Sequence, residues 1–453
     1  MKLAVFAVAV LLFASAIVGC DSILGIDEFP NLAIDSGGAD AALDANFDGG
    51  VDSSLDGTID QSTSDASHDG TVDAPSDQQT TCSHPCTVGE TRCLAGTVYE
   101  TCIGDDAGCE AYTAPLTCPS GGGCWGEPGE AYCCAGGAGA CAPSCRPGLL
   151  GPDGGDGQTN CGRDGTESCC TTLDVGGGSF LRSYDDVVNT DATNPATVSR
   201  FALDKFEVTV GRFRLFVNDT VNTVWRPDPG SGIHTHLNGG LGLVDSSATS
   251  ADGGFVYEQG WVSTYDGVLP STLGDWDSAL ECNGAIDTWT SSPGTTEAYP
   301  INCVTWEEAY AFCIWDGGFL PSETEWNFAG SAGSDQRVYP WSTPSTDQTL
   351  DCTYANYDAC GGTASPVGSL PNGDGRWGQS DLTGNVWEWT LDYFAAYVTP
   401  CVDCAYLSAT SDGRTIRGAS FNYPANALYV QTRGNDPDTV RYSNDGFRCA
   451  RTP

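Results

Sequence analysis

Hydrophobic positions change their spacing along this chain, and each change predicts an element. Residues 3–18, LAVFAVAVLLFASAIV, are almost continuously apolar, follow Lys2 and stop at Gly19-Cys20. A basic start, a short apolar core and a small residue before the break predict a signal peptide rather than a spanning helix. In FALDKFEVTVGRFRLFV (201–217), Phe206, Val208 and Val210 alternate as in a strand, then Phe213, Phe216 and Val217 share one helical face. Two helix starts carry reciprocal capping boxes, Thr305-Trp-Glu-Glu308 and Ser322-Glu-Thr-Glu325. The first helix presents Trp306, Ala309, Tyr310, Cys313 and Trp315 on an apolar face and ends at Gly317-Gly318; Pro321 precedes the second. In GNVWEW, Gly384-Asn385 makes a turn, and a strand follows with Trp387 and Trp389 on one side. Glu388 between them needs a partner. Long Gly- and Asp-rich loops separate these pieces, so residues 171–453 read as one loop-rich α+β domain.

Charge narrows the partners. The chain has 60 Asp and Glu against 18 Lys and Arg, a formal net charge of -42. It repels nucleic acid and anionic lipid headgroups, and divalent cations are its natural charged partners. One Met and four His exclude histidine-rich metal chemistry. His234-Thr-His236 sits in a Gly-rich loop without an obvious third ligand, and reads as an exposed loop pair.

Composition divides the rest. Ile17-Val18-Gly19-Cys20 resembles a bacterial lipoprotein lipobox, which implies cleavage after residue 19 and a lipid on Cys20 holding the exported chain to a membrane of the cell envelope. Residues 20–81 form an acidic tether, expected to be disordered because it cannot bury enough apolar surface. Asp48, Asp52, Asp56 and Asp60 recur in it without the tighter spacing of a calcium loop. Residues 82–170 hold fourteen of the 23 cysteines. In an exported chain these are expected to be disulfides stapling a small region that lacks a core. The CxxxC pairs Cys82/Cys86 and Cys141/Cys145 keep a metal alternative open.

Five ordered motifs then point to one family. YPINCVTWEEAYAFCIWDGGFLPSETEWNFA (299–329), YPW (339–341), ANY (355–357), GNVWEW (384–389) and NDGFRCA (444–450) resemble the sulfatase-modifying factor, or formylglycine-generating enzyme, family. The resemblance implies a divergent C-type-lectin-like fold poor in regular structure. It implies calcium ligands at Asp381 and Glu388 with the carbonyls of Gly384 and Val386, and a second set beginning at Asn356 and Tyr357, where Asp358 is the local carboxylate. It also implies a Cys313–Cys449 disulfide. Of the remaining domain cysteines, Cys352/Cys360 and Cys401/Cys404 are spaced to close local loops.

The family enzyme oxidises a protein cysteine to formylglycine with dioxygen, using two thiolates that hold copper(I), a soft ion suited to sulfur. Those thiolates belong between Gly418-Ala419-Ser420 and Arg433. Here the intervening sequence is FNYPANALYVQT, with Tyr423 where the first thiolate belongs and no counterpart of the second. The expectation is therefore a degenerate site built from Ser420, Tyr423, Asn426 and Arg433, without copper. The domain would be a calcium-stabilised module binding a protein, peptide or glycan. The alternative is an oxidase of the formylglycine-generating type.

Overall fold

The computed structural model describes residues 142–145 and 160–453 in full, and the backbone of six short strands between 91 and 133. The signal-like run, Cys20, the tether and most of 82–170 lie outside the described residues. The six strands include an antiparallel ladder of Thr91–Ala95, Val98–Gly104 and Glu110–Tyr112.

From residue 160 onward the chain folds as four α-helices and several small sheets, an α+β arrangement joined by long loops. Helix α1 (Val210–Thr223) is capped by the Thr209 hydroxyl, which accepts from the Arg212 amide. Helix α2 (Leu273–Leu280) is capped likewise by Thr272. Helices α3 (Trp306–Trp315) and α4 (Glu323–Gly330) both carry complete capping boxes, Thr305 with Glu308 and Ser322 with Glu325. Their local spacing satisfies amide groups that would otherwise be orphaned at the helix start. Phe213 of α1 stacks on Phe312 of α3 at 5.6 Å and meets Trp276 of α2 edge-on at 5.7 Å, so aromatic rings bind the three helices into one core.

The stretch after Phe201 departs from its alternation. The regular strand is Phe201–Asp204 only, and Val210 already belongs to α1. Phe206 and Val208 are buried, but Val208 bonds through its amide to Phe447 and through its carbonyl to Ile301. Single bonds to two different segments replace a ladder, so burial persists without a strand.

Disulfides and ion pairs join distant segments. Cys313 in α3 is bonded to Cys449, 136 residues away. Cys282–Cys303, Cys352–Cys360 and Cys401–Cys404 close local loops. Cys145–Cys170 and Cys161–Cys169 tie down the entry to the domain. Arg212 and Arg451, both buried, share Asp204 and Asp316, and Arg212 Nε also donates to the Ser144 hydroxyl.

The two loop histidines do not form an exposed pair. His234 is fully buried, with Nδ1 3.1 Å from Glu258 and Nε2 3.1 Å from Glu325, and Phe319 lies against its ring at 3.8 Å. Glu325 is the same carboxylate that caps α4. Burial works against the charged imidazole, but the two carboxylates outweigh it and raise the His234 pKa to about 10. A raised folded-state pKa contributes stability that is fully present below the unfolded value near 6.5 and is lost as pH rises through 10. Thermal unfolding should therefore show a loss of stability between those limits, of order a few kcal/mol. In His234→Gln that pH-dependent loss should shrink. An unchanged profile would show that the imidazole is not the titrating group.

Candidate functional site

A tight turn brings the separated motifs together. Asp381, Gly384 and Asn385 all have positive φ, of 56°, 87° and 60°. A Cβ on Gly384 would fall 2.5 Å from the Asn356 carbonyl oxygen, so glycine is required. The Asn385 amide donates to that same carbonyl at 2.8 Å, the Gly384 amide to Gly418, and the Phe421 amide to Asn385. The segments 355–357, 381–388 and 418–421 thus meet at one place.

Below the turn runs a four-stranded sheet ordered Arg433–Asp436, Arg414–Arg417, Trp387–Tyr393, Asp445–Gly446. Glu388 is fully buried in it and is gripped by Arg448 through Nη2 at 2.7 Å and Nε at 2.8 Å, with Trp326 Nε1 at 2.8 Å. Glu207, also buried, accepts from Asn385 Nδ2 at 2.6 Å and the Val386 amide at 3.2 Å. Asp381 accepts from the Gly368 amide at 2.6 Å. Burial, together with the charges of Asp381 and Glu388, pushes Glu207 well above the usual carboxylate range; burial raises Asp381 to about 6. Against burial, Glu388 keeps Arg448 protonated above its ordinary range. Three buried carboxylates therefore face one guanidinium.

Both oxygens of Glu388 already accept from Arg448 or Trp326, so Asp381 is the carboxylate of the expected set with the fewest described partners. Among the described residues no hydrogen bond ends on the carbonyls of Gly384 or Val386, so both remain able to ligate. The second set fits poorly. The Asn356 carbonyl serves Asn385 and the Tyr357 carbonyl serves Cys360, while the local carboxylate, Asp358, is exposed. Among the described residues, one trio of His, Cys, Asp or Glu has ligand atoms within 4.8 Å of one another: Cys282, Asp287 and Cys303. Its two sulfurs are already joined as a disulfide.

The segment after Gly418 holds no thiol. Ser420 is buried, with its hydroxyl donating to Asn422 at 2.7 Å. Tyr423 is 37% exposed and stands edge-on against Trp387 at 5.2 Å. Burial raises its phenol pKa, which keeps the ring hydroxyl protonated at neutral pH. Asn426 is exposed on the short turn Ala425–Ala427. Arg433 does not join them. Its guanidinium turns inward, with Nη2 2.7 Å from Glu323 and its plane over Phe394 and Tyr397. Glu323 is a buried carboxylate at the start of α4, and Arg417 and Arg433 together neutralise it. Arg433 is therefore a positioning residue of the frame rather than part of the exposed segment.

All twelve cysteines within 142–145 and 160–453 are in disulfides. Cys401 and Cys404, the neighbouring pair, are bonded to each other and 2% and 3% exposed. Within 160–453 the residues do not fit a copper(I) centre, which needs free thiolates.

Two groups beside Tyr423 were not singled out in the sequence. Asp445 pairs in register with Trp387, and both its carboxylate oxygens are buried without a partner, as is Trp387 Nε1. Burial, then the nearby Asp436 charge, holds Asp445 well above the carboxylate range, and burial lifts Asp436 to about 6. The only sequence signal was one acidic letter in NDGFRCA.

A family model described as the sulfatase-modifying factor enzyme 1-like domain matches residues 157–453. An inactive C-alpha-formylglycine-generating enzyme 2 of Bos taurus is 35% identical over 165 residues, 34% of this chain and 50% of that protein. Its Mus musculus namesake is 29% identical over 304 residues, 60% of this chain and 83% of that protein. A formylglycine-generating enzyme of Thermomonospora curvata is 28% identical over 306 residues, 62% of this chain and 92% of that protein. This chain thus spans only half the length of the bovine relative but most of the other two. With the match running through every motif that meets at the Gly384 turn, the chain belongs to the sulfatase-modifying factor family.

Proposed function

We propose that this protein is an exported lipoprotein, anchored through a lipid on Cys20, whose family domain has lost oxidase chemistry and binds a protein, peptide or glycan on a lectin-like frame. The observation that carries this reading is the absence of cysteine between Ser420 and Arg433, where the resemblance puts both thiolates and sets Tyr423 in the place of the first, in a domain whose described cysteines are all bonded to one another. A protonated phenol is a hard, weak ligand for copper(I). The ligand would lie along Tyr423 and Asn426. Asp445 and Trp387, on the neighbouring strands, carry buried polar atoms without a described partner.

The oxidase alternative draws on the names of relatives such as the Thermomonospora protein. Copper(I) titration of the purified, unreduced protein separates the two. No stoichiometric complex, and no oxygen consumption with a cysteine-containing peptide, is the expected outcome. A one-to-one complex that turns over the peptide would return the domain to the oxidases.

Calcium is proposed at Asp381 and Glu388 with the Gly384 and Val386 carbonyls, supported by the two carbonyls that accept no described hydrogen bond; Glu388 would ligate while keeping Arg448 as its ion-pair partner. A bound cation would supply charge neutralisation and hold the turn that joins the three motifs. Chelation with EDTA should lower the melting temperature, by about 3 kcal/mol in stability terms if the site is saturated a hundredfold above its Kd. Re-addition of calcium should restore it. A melting curve indifferent to both treatments would remove calcium from the proposal.

A further inference from the structure

A cavity of about 160 Å³, separate from the 418–433 segment, is lined by residues from α3, from two strands of the central sheet, from the paired strands Val244–Thr249 and Phe255–Tyr257 of another sheet and from nearby loops, among them Asp245, Tyr265, Trp306, Leu391, Tyr393 and Arg414. Arg414 is the cation in its wall. The guanidinium is sandwiched between rings, 3.4 Å from the centroid of Trp306 and 3.5 Å from that of Tyr393. Its described hydrogen-bond partners are neutral: Nη1 donates to the Leu391 carbonyl at 2.8 Å and Nη2 to the Tyr265 hydroxyl at 3.4 Å. Nε is buried without a partner. Ring stacking offsets part of the cost of desolvating such a cation, and an unused N–H still leaves a donor to satisfy.

Asp245 supplies the opposite charge. Its described bonds, from the Ser247 amide and hydroxyl and from the Leu407 amide, all fall on Oδ1, and among the described residues Oδ2 receives none. Glu258 also lines the cavity, but its carboxylate is engaged by His234. An arginine and an aspartate thus share one small aromatic cavity without pairing with each other. An anion alone would meet Asp245, and a cation alone would meet Arg414.

We propose that this cavity binds a small free α-amino acid, its carboxylate on Arg414, its ammonium on Asp245 and its carbon atoms against the rings of Trp306 and Tyr393. The volume, about five waters' worth, suits the smallest side chains.

Calorimetric titration of the full-length protein with glycine, alanine and serine, and with acetate and methylammonium as half-ligands, tests this. At least one amino acid should bind saturably, at least about tenfold more tightly than either half-ligand. Asp245→Asn, which keeps an acceptor at Oδ1, should weaken that binding by about tenfold or more with little change in melting temperature. Leu407→Trp, which fills the cavity, should abolish it. No saturable binding of any of the three amino acids overturns the proposal, as does acetate or methylammonium binding equally tightly. Because the cavity shares no residue with the Tyr423 segment, failure here leaves the proposed function standing, and a positive copper result leaves this site standing.

Discussion

Arg448→Met should be among the most damaging single changes in the domain, lowering unfolding free energy by about 3–5 kcal/mol. Arg448 is fully buried and holds both oxygens of Glu388, while Glu207 and Asp381 stand nearby with no other guanidinium described beside them. Methionine fills much of the volume but leaves three buried carboxylates without their cation. The measurement is a denaturant midpoint in EDTA, which keeps added calcium from compensating. Adding Glu388→Gln, which can keep the Trp326 bond, should recover part of the loss, because residues in contact couple. If the double variant is as unstable as the sum of the two singles, the Arg448–Glu388 charge pair is not the source.

Cys449→Ser should cost about 2–5 kcal/mol in unreduced protein. The bond to Cys313 closes a separation of 136 residues, and cross-links over long loops remove the most freedom from the unfolded chain. It also fixes the last strand, Ala450–Arg451, which pairs beside Phe201–Asp204. The midpoint should fall, and the wild-type protein should approach the variant when reduced. An equal midpoint for both, before and after reduction, would show that the bridge carries no stability. Arg448 and Cys449 are adjacent, so the two losses should not be summed.

How much of this was legible beforehand follows from the range of each interaction. Both capping boxes were readable because cap and partner lie three residues apart. The turn at Gly384-Asn385 was readable from its residue types. The strand expected over Phe206–Val210 was not correct, because alternation reports burial on both sides of a chain as readily as a ladder. His234 looked like a loop residue because its carboxylates, Glu258 and Glu325, are 24 and 91 positions away. Arg433 looked like a site residue because it follows the site segment, yet its partner Glu323 is 110 positions away.

The letters alone settled the chain's strongly acidic balance, the helix starts, the order of the family's motifs and the absence of cysteine between Ser420 and Arg433. Each is a matter of composition or near-neighbour spacing, which folding cannot alter. The fold decided which charges meet. It placed Glu207, 178 residues from Asn385, under the turn, enclosed Asp445 without a partner, and left Arg414 and Asp245 facing one cavity. Burial raises the cost of an unpaired charge, and burial exists only after distant segments have packed.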